Sequence, residues 1–166
     1  FNREDILNIF RELKDNELFN FDQLIDITAI DYPSKDNRFE LIYIFLSMKK
    51  NKRIILTTSI KENESIDSIT QIFQASDWYE RECYDLFGIK FNNHPDLRRI
   101  MTDYNFEGHP LRKDFPLTGH TEVRYDDVEK KVVYEPVKLT QEYRDFDYTS
   151  PWEGMPKGID DHNEQE

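Results

Sequence analysis

Nine consecutive residues, Glu80-Arg81-Glu82-Cys83-Tyr84-Asp85-Leu86-Phe87-Gly88, hold the densest set of groups able to do chemistry in this chain. On a helix, Tyr79, Cys83, Leu86 and Phe87 share one apolar face. Arg81 and Asp85 stand four residues apart on the other side, with Glu82 and Trp78 nearby. That spacing predicts a solvated ion-pair face worth about 0.3 kcal/mol. It also suits a docking edge, with Arg81 reaching a partner's carboxylate or backbone. Two catalytic chemistries compete with these readings. Glu80, Glu82, Asp85 and His94 offer carboxylate and imidazole ligands to a metal, but no Glu-x-x-His or His-Glu-x-x-His spacing joins them. Cys83 offers a nucleophile with His94, His109 or His120 as its base, yet its place on the apolar face predicts a buried, inert thiol. No phosphate loop, Gly-x-Gly-x-x-Gly fingerprint or Gly-x-Ser-x-Gly elbow occurs.

A second constellation follows the helix. His94-Pro95-Asp96-Leu97-Arg98-Arg99-Ile100-Met101 precedes Gly108-His109-Pro110-Leu111-Arg112-Lys113-Asp114-Phe115-Pro116-Leu117. Apolar and cationic residues alternate along a proline-stiffened chain. A segment already held extended loses less entropy on docking, and arginines with aromatic anchors dominate interfaces. Such an arm docks on a partner or folds back on its own sheet; the residues leave both open. Phe146, Tyr148 and Trp152 are large aromatics in a segment with little room for a private core, so they are expected to lie against something.

The elements that must position these groups are legible in outline. A helix is predicted from Arg3 to Lys14, with Ile6, Phe10 and Leu13 on one face and Asn2 as N-cap. Gln23 to Ile30 alternates, Ile25, Ile27 and Ala29 against Asp26 and Thr28, which indicates a half-buried strand. Phe39 to Met48 is apolar on both faces, as a central strand would be, and Ile54 to Ile60 supplies a third. Short connections make the three an antiparallel meander. Ser65 is read as the cap of a second helix carrying Ile66, Ile69 and Phe73. Asp77 and Glu80 have capping-box spacing for the third, which Gly88 stops. The fold class is α+β: a small antiparallel or mixed sheet with helices packed on one face, followed by an extended, turn-rich C-terminal arm.

Composition divides the chain near residue 90. Residues 1–90 hold one of the seven prolines and one of the five glycines. The expected organisation is a domain over 1–90, a partner-docking arm over 91–157 with a hairpin at 121–135, and a polar tail over 158–166. Prolines 95, 110 and 116 forbid long regular elements in the arm. The net charge of -12 excludes a general nucleic-acid binder, because phosphate binding needs a cationic surface. The longest apolar run, Leu41 to Leu46, is far short of the roughly 20 residues of a spanning helix. A single cysteine cannot form an intrachain disulfide or supply the thiolates of an iron–sulfur cluster.

Glu80-Arg81-Glu82, Asp85-Leu86-Phe87-Gly88, His94, Arg98 and Ile100-Met101 together resemble the signature of the C subunit of proton-pumping NADH:quinone oxidoreductase, respiratory complex I. Gly-His-Pro-Leu-Arg-Lys-Asp-Phe-Pro-Leu-Thr-Gly at 108–119, Glu-Val-Arg-Tyr-Asp-Asp at 122–127 and Phe146 through Ser150-Pro151-Trp152-Glu153 resemble the form found in mitochondria and their alphaproteobacterial relatives. The resemblance is specific over 76–153 and loose over 1–75. It implies a non-catalytic structural subunit of the peripheral arm, binding no cofactor or metal itself, packed against the large hydrogenase-like D subunit near the B subunit. The complex passes electrons from NADH through FMN and iron–sulfur clusters to quinone, coupled to proton translocation, at the inner membrane on the cytoplasmic or matrix side. Carried over as interface or fold-defining residues are Arg81, Glu82, Asp85, His94, Arg98, Arg99, Arg112, Lys113, Phe115, Arg144, Phe146 and Trp152. The alternatives are the equivalent subunit of a membrane-bound hydrogenase-type complex, and a free-standing Cys- or metal-dependent enzyme.

Overall fold

The computed structural model describes residues 3–141. The expected cap Asn2, the candidates Arg144, Phe146 and Trp152, and the tail at 158–166 lie outside the described residues. The fold is α+β. A 3-10 turn, Arg3–Asp5, leads into α1, Ile6–Asp15. Strands β1 (Gln23–Asp31), β2 (Phe39–Ser47) and β3 (Lys52–Ile60) form an antiparallel sheet in the order β1-β2-β3.

Strand β2 is central, and its alternation is regular. Phe39, Leu41, Tyr43 and Phe45 are buried on the inner face, and Ile42, Ile44 and Leu46 are half-buried on the outer. Helix α1 lays Ile6, Phe10 and Leu13 on the inner face. The Phe10 ring meets Tyr43 and Phe45 edge-on at 5.0 and 4.9 Å between centroids. Burying a side chain of this size stabilises the fold by about 2 kcal/mol. In β1 the expected alternation is interrupted. The register shifts between Leu24 and Asp26, so Leu24 is buried while Ile25 slips out of phase. A bulge of this kind reassigns the faces on either side of it.

The helix expected after Ser65 does not form. Ser65–Asp67 is instead a short strand, β4, running parallel to β5, Lys90–Asn92. Ile66, Ile69 and Phe73 are buried as expected, but one turn closed by the Phe73 amide on the Ile69 carbonyl (2.9 Å) replaces the helix. Parallel pairing with β5 satisfies backbone groups that a helix at Ser65 would have used. The long helix α2, Ser76–Phe87, connects the two strands. Its expected capping box is also absent. Ala75 is the N-cap, and the Glu80 carboxylate is drawn inward to the Ile69 amide at 2.8 Å. Gly88 ends α2 in the left-handed conformation, its amide donating to the Tyr84 carbonyl.

The described residues fall into two compact units that divide between Glu122 and Val123, not near residue 90. Residues 93–120 carry no helix or strand, yet they bond to α2 and β1 and so belong with the first unit. Further on, β6 (Thr121–Asp126) and β7 (Lys131–Pro136) pair as a hairpin. Arg124 and Glu135 join across it at 3.0 Å. Strand alternation then places Val123, Tyr125, Val132 and Tyr134 on the opposite face, all more than half exposed.

Candidate functional site

Helix α2 is buried on more than its apolar side. Cys83 and Phe87 lie in the core, and so do Glu80, Arg81 and Asp85. The expected solvated ion-pair face is therefore absent, because the 94–112 loop wraps over it. Arg81 and Asp85 do not pair with one another; each holds the loop.

Asp85 is the centre of this clamp. Its Oδ2 accepts the amides of Ile100, Met101 and Thr102 at 2.9, 2.7 and 2.9 Å. Its Oδ1 accepts the Thr102 hydroxyl at 2.6 Å and the Arg99 guanidinium at 2.7 Å. Burial pushes the Asp85 carboxyl up, but the Thr102 hydroxyl and amide, Arg99 and the Ile100 amide outweigh it, holding the carboxyl well below the usual carboxylate range. Arg99 continues to the Gly108 carbonyl at 2.9 Å and lies over the Phe106 ring. Arg81 donates to the carbonyls of Arg98 and Arg99 at 3.3 and 3.2 Å. The expected reach of Arg81 to a partner is thus taken by its own chain.

The loop is fastened again further along. His109 Nδ1 donates to the Asp85 carbonyl at 2.9 Å, and the Leu111 amide to the Leu86 carbonyl at 3.0 Å. The His109 ring passes so close to Gly88 that a Cβ there would meet it at 2.7 Å. Glycine is required at that position twice, for its φ of 81° and for this approach. Phe115 stacks near Phe106 and His120, with centroids 5.8 and 5.4 Å apart.

A second network anchors the loop to the sheet. Asp31, its side chain fully buried, accepts Arg38 at 2.7 and 2.9 Å and the Lys113 amide at 2.7 Å. The Arg38 hydrogen bond is the main force lowering the Asp31 carboxyl, working against burial. Arg38 also meets Glu62 and Asp114 at 3.2 and 2.9 Å. Arg112 pairs with Glu62 and lies over Phe39. Sequence reasoning missed Asp31, Arg38, Glu62 and Asp114. Asp31 carried a signal: it falls in phase with buried Ile27 and Ala29, and a carboxylate on a buried face needs a cation.

His94 closes the N-terminal end of α2. Its Nδ1 accepts the Asp96 amide at 3.1 Å, so its proton sits on Nε2. That nitrogen lies 3.1 Å from the Asp77 carbonyl and 3.8 Å from Glu80 Oε2. Burial drives the Glu80 carboxyl up to about 7. Arg98 is exposed and pairs with Asp96 at 2.7 Å. Glu82 is half-buried on the outer side of α2. Among the described residues no three His, Cys, Asp or Glu side chains are grouped to hold a metal ion. Cys83 is buried, its thiol donating to the Ile27 carbonyl at 3.3 Å, and burial pushes the thiol well above its ordinary range.

The fold and clamp define a small α+β domain that displays a braced loop along its long helix. The sequence model of the family described as "Respiratory-chain NADH dehydrogenase, 30 Kd subunit" matches residues 1–121. The chain is 55% identical over 153 residues to the C subunit of the NADH-quinone oxidoreductase of Hyphomonas neptunium, covering 92% of this chain and 76% of that protein. It is 58% identical over 142 residues to its counterpart from Ruegeria pomeroyi, with coverage of 86% and 71%. It is 56% identical over 149 residues to that of Cereibacter sphaeroides, with coverage of 90% and 74%. The chain belongs to the family of the NADH-quinone oxidoreductase C subunit, a component of respiratory complex I.

Proposed function

We propose that the chain is a structural and assembly subunit of the peripheral arm of NADH:quinone oxidoreductase and takes no direct part in the chemistry. In this reading it packs against the large hydrogenase-like D subunit, close to the B subunit. It supports the module in which electrons delivered from NADH through FMN and iron–sulfur clusters reach quinone, coupled to proton translocation. It binds none of those groups itself and sits peripherally at the inner membrane, on the cytoplasmic side in a bacterium or the matrix side in a mitochondrion. Among the described residues no helix is long and apolar enough to cross a membrane.

One observation carries this reading beyond family membership. Arg81 and Asp85 of the family signature, and Arg99 beside it, spend their charges on the chain's own loop. Groups committed this way hold a surface in shape, and a surface held in shape suits a neighbour. The candidate nucleophile points the same way, because Cys83 is a buried thiol whose hydrogen bond goes to a backbone carbonyl.

The test is made on the intact complex purified from cells that carry or lack the chain. Loss of the chain should lower the recovery of the hydrogenase-like subunit and of NADH-to-quinone turnover together, and Cys83→Ala should leave turnover unchanged. Turnover lost in Cys83→Ala while the complex stays assembled, or stoichiometric metal in the isolated chain, would favour the free-standing enzyme. A purified assembly lacking an NADH- and FMN-binding subunit would favour the hydrogenase-type complex.

A further inference from the structure

A groove of about 570 Å³ runs between the first turns of α2 and the loop that Asp85 holds. Ala75, Trp78, Tyr79, Glu82, Ile100 and Met101 line it. Its wall is mainly carbon, whereas a hollow of similar size beside Arg3, Lys61 and Glu64 is lined chiefly by polar groups. Trp78 and Met101 flank it and remain 65% and 64% exposed.

The groove is preformed. The amides of Ile100 and Met101 are fixed to Asp85 at 2.9 and 2.7 Å, so the loop wall cannot drift from the helix wall without breaking these partly buried bonds. The Arg81 guanidinium lies 5.9 Å from the Trp78 ring and is itself held by two carbonyls. A stiff indole on a braced backbone loses little entropy when covered, and the flexible Met101 thioether can adapt its shape to what covers it.

Glu82 supplies the charge. The residue is half-buried in the groove wall, and among the described residues its carboxylate takes no hydrogen bond or ion pair. Its nearest cationic neighbour in sequence, Arg81, is spent on the carbonyls of Arg98 and Arg99 and makes no ion pair with it. A carboxylate partly withdrawn from water beside apolar groups gains most from a guanidinium or ammonium set against it.

We propose that this groove receives a segment of a neighbouring subunit that inserts an apolar side chain between Trp78 and Met101 and sets an arginine or lysine against Glu82. The proposal rests on the functional reading above only in taking its occupant from the same assembly.

Hydroxyl-radical labelling of the free full-length chain and of the purified complex tests whether the groove is covered. Modification of Trp78 and Met101 should fall at least about tenfold in the complex. Met101→p-benzoylphenylalanine then identifies the occupant by photo-crosslinking and mass spectrometry. The cross-linked peptide should belong to another subunit and carry an arginine or lysine within a few residues of the link. Glu82→Lys should reduce incorporation into the complex by about tenfold and Glu82→Gln by about threefold, with unchanged melting of the free chain. Replacing the partner's base with Glu should restore incorporation of Glu82→Lys. Equal labelling of Trp78 and Met101 in free chain and complex would overturn the proposal. So would a cross-link to this chain's own residues or to a second copy, or full incorporation of Glu82→Lys. In each case the chain still resides in the complex, so the functional reading survives. If the wild-type chain is absent from the complex, both fall.

Discussion

The 94–113 loop and the 121–136 hairpin are both turn-bounded segments rich in charge, but the molecule treats them in opposite ways. The loop has no regular secondary structure, yet Asp85, Arg81, His109 and Asp31 hold it at many points. The hairpin has regular pairing, yet Val123, Tyr125, Val132 and Tyr134 are more than half exposed, and the Arg124–Glu135 bridge lies at the surface. A two-stranded ribbon is marginal by itself. Order in this protein therefore follows the burial of polar anchors more closely than it follows the presence of helix or strand.

The strongest way to break that comparison is to remove the anchor. Asp85→Ala leaves three amides, a hydroxyl and a guanidinium without their acceptor. It should cost about 3 kcal/mol in urea unfolding of the free chain. Survival of full stability would mean that the loop holds itself. Next comes Gly88→Ala, which adds a Cβ both in the left-handed region and against the His109 ring. A loss of about 2 kcal/mol is expected, part of it recovered when His109 is also shortened to Ala.

Acidity separates two carboxylates of the same helix. Asp85 is held low, so its contribution is complete above the ordinary carboxylate range and is lost as pH falls through and below about 4. Glu80 is raised to about 7, so its contribution is complete below its unfolded value near 4.3 and is lost as pH rises towards about 7. Glu80→Gln keeps an acceptor for the Ile69 amide and carries no charge. It should flatten the decline between about pH 4.5 and 7 while leaving the acid limb in place. Unfolding midpoints across pH measure this directly, and a variant profile parallel to wild type would remove Glu80 as the cause.

The smallest effects sharpen the contrast. Arg112→Ala removes a half-buried guanidinium from Glu62 and Phe39 and should lower the stability of the free chain by about 1 kcal/mol. Arg124→Ala in the hairpin should produce no resolvable change in melting. An effect of Arg112→Ala seen in assembly but not in the free chain would return that residue to the interface role first expected of it.

Particular residues show why some of this was legible and some was not. Ile6, Phe10 and Leu13 recur at helical spacing, and Phe39, Leu41, Tyr43 and Phe45 alternate, so the sheet and the helices against it follow from periodicity. Ser65 misled because the spacing of Ile66, Ile69 and Phe73 suits a helix and equally suits a strand followed by one turn; pairing with 90–92, some 25 residues away, decided between them. Arg81 and Asp85 misled for the same kind of reason. Four residues apart on a helix they look like a surface pair, and nothing local announces a loop that will cover them.

The sequence by itself determined the α+β plan, the stop at Gly88, the inert placing of Cys83 and, through the motifs at 80–101, the family. Each of these depends on residues close enough along the chain to constrain one another. Tertiary structure alone decided what the charges are for. The Asp85 clamp, the Asp31–Arg38 anchor and the groove beside Glu82 join groups 7 to 82 residues apart. Their energies arise from burial, which no local spacing encodes.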